Sequence, residues 1–87
     1  MARGVRKSDL QRFLEFATKH GVGHIPDRGF CVGDRRQGIY QACFRSKADA
    51  RRAARLLVRA RGGPIDLVQV QNRGNDRFIV GEFNGRR

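Results

Sequence analysis

The sequence predicts an α+β domain in the order helix–hairpin–helix–hairpin, with a four-stranded antiparallel sheet and two helices on one face. Three observations carry that prediction. Two segments repeat apolar residues at the helical period behind a serine cap. Four short stretches are rich in β-branched and aromatic residues. Each pair of those stretches is separated by a polar, glycine-bearing loop. The chain of 87 residues allows one domain. Its 22 Val, Leu, Ile and Phe residues are about a quarter of the total, above the roughly 20 % floor at which a highly charged chain stays disordered.

The first helix begins behind Ser8, an N-cap, with Gln11 completing the spacing of a capping box. Leu10, Phe13, Leu14 and Ala17 form the expected buried stripe, Asp9, Arg12, Glu15 and Lys19 the outer face, and Phe16 falls beside the stripe. Gly21 stops the helix, and Val22 is expected to fold back on its last turn. Residues 22–29 read as irregular, with Ile25 and Pro26 unplaced. Phe30–Val32 and Ile39–Phe44 flank a loop over 33–38 and form a hairpin. Tyr40, Ala42 and Phe44 alternate there with Gln41, Cys43 and Arg45, as in a half-buried strand.

The second helix starts behind Ser46, with Asp49 three residues on. Ala50, Ala53, Ala54, Leu57 and Val58 follow at i, i+3, i+4, i+7, i+8, and Gly62-Gly63-Pro64 ends the helix. The small side chains in this stripe predict close packing against a sheet. Ile65–Gln71 and Arg77–Phe83 flank a loop over 72–76 and form the second hairpin. The domain spans 8–84. Residues 1–7, with Arg3, Arg6 and Lys7, and 85–87, with Arg86 and Arg87, read as basic tails.

Composition excludes several classes. No apolar run is long enough to span a membrane, and the basic N-terminus lacks the apolar stretch of a signal peptide. Two cysteines are too few for a disulfide scaffold. Cys31 and Cys43 read as small buried hydrophobes in strands, and the expected compartment is the cytoplasm.

The formal charge is +11, from 16 Arg and 3 Lys against 8 acids. It is unevenly placed. Arg45, Lys47, Arg51, Arg52, Arg55, Arg59 and Arg61 stand against Asp49 alone, so residues 45–61 carry +6. Arg51, Arg55 and Arg59 recur at i+4 and make a ridge. Like charges at that spacing destabilise a helix by about 0.2–0.5 kcal/mol per pair unless a counter-charge arrives. Arg35 and Arg36 at the first hairpin tip, and Arg73 and Arg77 at the second, add further basic points.

The expected function is therefore non-catalytic binding of nucleic acid, with Arg45, Lys47, Arg51, Arg52, Arg55, Arg59, Arg35, Arg36, Arg73 and Arg77 on the phosphate backbone. Tyr40 and Phe30 would have to be exposed to stack single-stranded bases. They read as core, which favours a duplex. Gln69, Gln71, Asn72 and Asn75 could reach base edges but read as turn chemistry. One alternative is an inhibitor or adaptor, of the kind phages and mobile elements encode, docking its basic face on an acidic protein or nucleoprotein complex. A second is a metal-independent ribonuclease using His24, with Glu15 and Asp27 nearby in sequence. His20, His24, Cys31 and Cys43 are of zinc-ligand type. They lack a close-spaced pair of cysteines, so no metal is assigned. No phosphate-binding Gly-rich loop occurs in a strand–loop–helix context, and no cofactor is expected.

Overall fold

The computed structural model describes residues 7–37, 39–71 and 77–83, and for Ile39 and Arg77 the backbone alone. The elements run α1 (Asp9–His20), β1 (Gly29–Asp34), β2 (Ile39–Phe44), α2 (Lys47–Arg61), β3 (Ile65–Val70) and β4 (Arg77–Phe83). The α+β class and its element order stand. The tail over 1–6, the loop 72–76 with Asn72, Arg73 and Asn75, and residues 84–87 lie outside the described residues.

Both helices start where their serines predict. The Gln11 backbone N–H donates to Ser8 Oγ at 3.1 Å, and the Asp49 N–H donates to Ser46 Oγ at 3.3 Å. These bonds satisfy N–H groups that have no partner within the helix. In α2, Ala50, Ala53, Ala54 and Leu57 are all fully buried. The helix ends at Gly62, whose φ of +80° belongs to backbone that only glycine adopts without strain.

In α1 the buried face differs from the expected one. Phe13 is buried, Leu10, Phe16 and Ala17 pack around it, and Leu14 is 53 % exposed. At about 100° per residue, Leu10, Phe16 and Ala17 lie within about 60° of Phe13, whereas Leu14 lies about 100° away. The helix thus buries the arc centred on Phe13 and takes Phe16 in place of Leu14.

The strand order is β2-β1-β3-β4, and every neighbouring pair is antiparallel. Because β2 and β3 both oppose β1, they run in the same direction, and α2 crosses between them over β1. Val32, Phe44, Ile65 and Leu67 form one core with Phe13 of α1 and the alanine stripe of α2. A single shared core places both helices on the same sheet face.

The opposite face holds a second cluster of Cys31, Cys43 and Val70, with Val22 and Tyr40 packed on it. Here the structure corrects three expectations. Cys31 and Cys43 are not free thiols. The β1–β2 register sets them opposite each other, Cα atoms 4.0 Å apart, and they form a disulfide. Tyr40 does not share the face of Ala42 and Phe44, because the register slips between Val32 and Gly33. Gln41 becomes the extra residue of a β-bulge, and the alternation inverts beyond it. Val22 does not fold back on α1. Its N–H donates to the Cys43 carbonyl at 2.9 Å, an isolated bridge on the outer side of β2.

Strand β1 is longer than its sequence suggests, running from Gly29 to Asp34. Gly29 allows a close approach: a Cβ there would stand 2.6 Å from the Phe44 carbonyl oxygen and 2.7 Å from Pro26 Cγ. Pro26 is accordingly buried, while Ile25 stays largely exposed. A second bulge, at Val80, divides β4. Phe78 and Ile79 before it are 50 % and 61 % exposed.

Two outcomes follow for stability. Replacing Ala53 with leucine adds volume where no space is open, and should lower urea stability by about 1–3 kcal/mol with an unchanged m-value. The disulfide closes a short loop, with a sequence separation of 12. Reducing it, or replacing both cysteines with alanine, should cost about 2–4 kcal/mol in the same unfolding measurement.

Candidate functional site

The alanine stripe fixes which way α2 faces. With Ala50, Ala53, Ala54 and Leu57 on the sheet, the helical period turns Arg52, Arg55 and Arg59 straight outward and leaves Arg51 on the flank. All four are exposed, as are Arg45 and Lys47 at the helix start. Among the described residues, none of these six pairs with a carboxylate. The one acid on the helix, Asp49, sits in the first turn, where it favours the helix dipole.

Arg52, Arg55, Leu56 and Arg59 line an open groove of about 240 Å³. Leu56 is half-buried and packs on the core, so the groove has an apolar floor and a cationic rim. Arg52 also reaches α1. Its guanidinium carbon lies 5.6 Å from the centre of the Phe16 ring, which His20 meets at 4.5 Å on a tilted contact. Arginine over an aromatic face is a favourable cation–π arrangement, and it restrains an otherwise mobile side chain. Helix periodicity alone does not bring Phe16, His20 and Arg52 together, because the contact crosses from α1 to α2.

The arginines of the first hairpin tip have a different fate. Arg36 donates through Nε to Asp34 Oδ1 at 2.9 Å and through Nη2 to Oδ2 at 3.1 Å, and its backbone N–H adds a third bond at 3.0 Å. The same Nη2 reaches the carbonyls of Arg61 and Gly62 at 3.3 and 3.1 Å. Those carbonyls lie at the negative end of α2, so the guanidinium ties the hairpin to the helix terminus. Arg35 donates to Asp66 at 2.6 Å and approaches Glu82 at 3.4 Å, spanning β3 and β4. Both guanidiniums stay about half exposed, but each is already paired with carboxylates of the fold. The Asp34-Arg35-Arg36 run signalled the first pairing, but Asp66 and Glu82 reach Arg35 only through sheet register.

The remaining candidates do not converge. Arg77 opens β4 opposite Val70, its side chain outside the described residues, as is Arg73. The disulfide removes Cys31 and Cys43 from any zinc-ligand set, and His20 stacks on Phe16. His24 and Asp27 are exposed in the segment before β1, while Glu15 on α1 is held by Lys7 at 2.8 Å. None of the three lines the α2 groove. Phe30 packs on the core and Tyr40 on the disulfide cluster. Phe78, on β4, is half exposed.

No family model matches the chain, and neither the curated proteins nor the solved structures contain a match to it.

The Arg36 hydrogen bonds hold the buried Asp34 carboxyl below its ordinary value of 3.8, against the opposing effect of desolvation. A depressed carboxylate stabilises the fold above its unfolded pKa, and that contribution is lost as pH falls through the folded value. Acid unfolding should therefore show a stability loss below about pH 4 that is reduced in Asp34→Asn, which starts from a lower neutral-pH midpoint. An unchanged acid limb in that variant would contradict the assignment.

Proposed function

We propose that the protein binds nucleic acid non-catalytically, through the phosphate backbone, with the outward face of α2 as its principal contact. One observation carries this reading: α2 displays Arg51, Arg52, Arg55 and Arg59, none of which pairs with a carboxylate among the described residues, while Arg35 and Arg36 are paired with acids of the fold itself. Uncompensated like charges on one helix destabilise it, and phosphates supply the missing counter-charge. Arg45 and Lys47 extend the same surface. Arg35 and Arg36, already paired with Asp66, Glu82 and Asp34, contribute less than the α2 arginines.

A duplex is favoured over a bare strand. Stacking platforms present rows of rings, and here Tyr40 and Phe30 are packed, leaving Phe78 near the sheet edge. Sequence selectivity should be weak, because residues 47–61 contain no Asn, Gln, Ser or Thr to read base edges beside arginine. The compartment in this reading is the cytoplasm. The complete burial of Cys31 and near-burial of Cys43 there withhold both sulfurs from thiol exchange. The adaptor reading draws support from Phe78 and Ile79, an exposed apolar pair on the edge strand β4.

Gel-shift titrations with duplex DNA, duplex RNA and single strands test the proposal at two salt concentrations. If about four phosphates are neutralised, affinity should fall roughly 150-fold between about 50 and 200 mM salt. Changing Arg52, Arg55 and Arg59 together to alanine should flatten the salt slope by about three. Absence of binding at the lower salt would refute the reading, and recovery of one acidic protein after nuclease treatment would favour the adaptor.

A further inference from the structure

We infer that the groove on α2 is a phosphate seat in which Arg52, held by the Phe16 ring, is the anchored member and Arg55 and Arg59 close on the anion from the following turns. The inference rests on the phosphate-binding reading of α2 and names the seat within it. Sequence spacing alone singles out the ridge Arg51-Arg55-Arg59. The structure selects a different trio, because Arg51 lies about 100° around the helix from Arg52 and does not line the groove.

The seat has the right chemistry for this ligand. Its rim is three guanidiniums, which donate in planar forks that match phosphate oxygens. Arg52 and Arg59 are seven residues apart, about 10 Å along the axis, so the rim can follow one strand past more than one phosphate. Leu56 closes the floor without offering a carboxylate.

Phe16 acts as a positioning residue. Its ring carries Arg52 on one contact and His20 on another, and it also packs on Phe44 at 5.7 Å, which roots the stack in the core. A guanidinium already laid on a ring loses less freedom when the anion arrives than one swinging in water. Arg55 and Arg59, among the described residues, have no comparable contact, so pre-organisation is concentrated at Arg52. The same oxyanion chemistry is offered by a nucleic-acid backbone and by a free oligophosphate.

The test is a double-mutant cycle read by anisotropy of a labelled duplex DNA, with calorimetric titration of tripolyphosphate and of polyglutamate alongside. Arg52→Ala should weaken duplex binding about tenfold, the size expected for a lost charge-assisted contact. Arg51→Ala, which removes equal charge outside the groove, should weaken it less than about threefold. Phe16→Leu should weaken binding with Arg52 present and have no further effect once Arg52 is alanine, a pattern that loss of stability alone does not produce. Arg52→Lys should fail to restore the coupling to Phe16, since it keeps the charge but not the planar stack.

An Arg51→Ala effect equal to that of Arg52→Ala, or a Phe16→Leu effect that persists without Arg52, overturns the seat while leaving nucleic-acid binding intact. Arg52-dependent binding of tripolyphosphate without duplex binding supports the seat and overturns the nucleic-acid reading. Polyglutamate binding of equal strength and equal Arg52 dependence overturns the assignment to phosphate. Failure of both duplex and tripolyphosphate to bind overturns both.

Discussion

The close packing of α2 on the sheet governs the rest of this molecule. Three alanines and a leucine, all without exposed surface, bring the helix backbone down onto Val32, Phe44, Ile65 and Leu67. Small side chains permit that approach, and the larger volumes come from neighbours, with Phe13 of α1 filling the same core. A helix seated this way cannot rotate about its axis without pushing an arginine into the apolar layer. Burying an unpaired charge costs far more than the packing gains. The charged face is thus held outward by the apolar one, and the groove of Arg52, Arg55 and Arg59 follows from that constraint.

Arginines of identical chemistry divide into two groups according to where the acids lie. Asp34, Asp66 and Glu82 gather around the first hairpin tip, where Arg36 ties the hairpin to the end of α2 and Arg35 bridges to β3 and β4. These pairs hold the β2–α2–β3 crossover at its turn. Asp49 is alone on α2 and sits at its N-terminal end. With 19 basic residues against 8 acids, the imbalance has to surface somewhere, and among the described residues it surfaces on α2.

The far side of the sheet is built differently. Two bulges, at Gln41 and Val80, each shift a register by one residue, and side chains beyond them change faces. Tyr40 joins the disulfide cluster for that reason. Val22 bridges the outer side of β2, whereas β4 ends the sheet with Phe78 and Ile79 exposed. The two faces therefore differ in character: one displays the cationic helix, the other a disulfide-pinned layer and the Arg35–Asp66–Glu82 network.

By itself the sequence determined the elements, their caps, the stripe that α2 buries and the one-sided charge. Each of these depends on neighbours within a turn or two: serine beside a free N–H, alanines at helical spacing, glycines at a stop. What only the tertiary structure decided depends on residues far apart in the chain. The β1–β2 register set Cys31 against Cys43, and the strand order gave Arg35 its acids. The bulge turned Tyr40 over, and the packing of α1 exchanged Leu14 for Phe16 and so laid Arg52 on an aromatic ring. Periodicity places a side chain on a face of its own element. Which partner meets that face is fixed by register and by the packing of elements against one another, and local spacing carries neither.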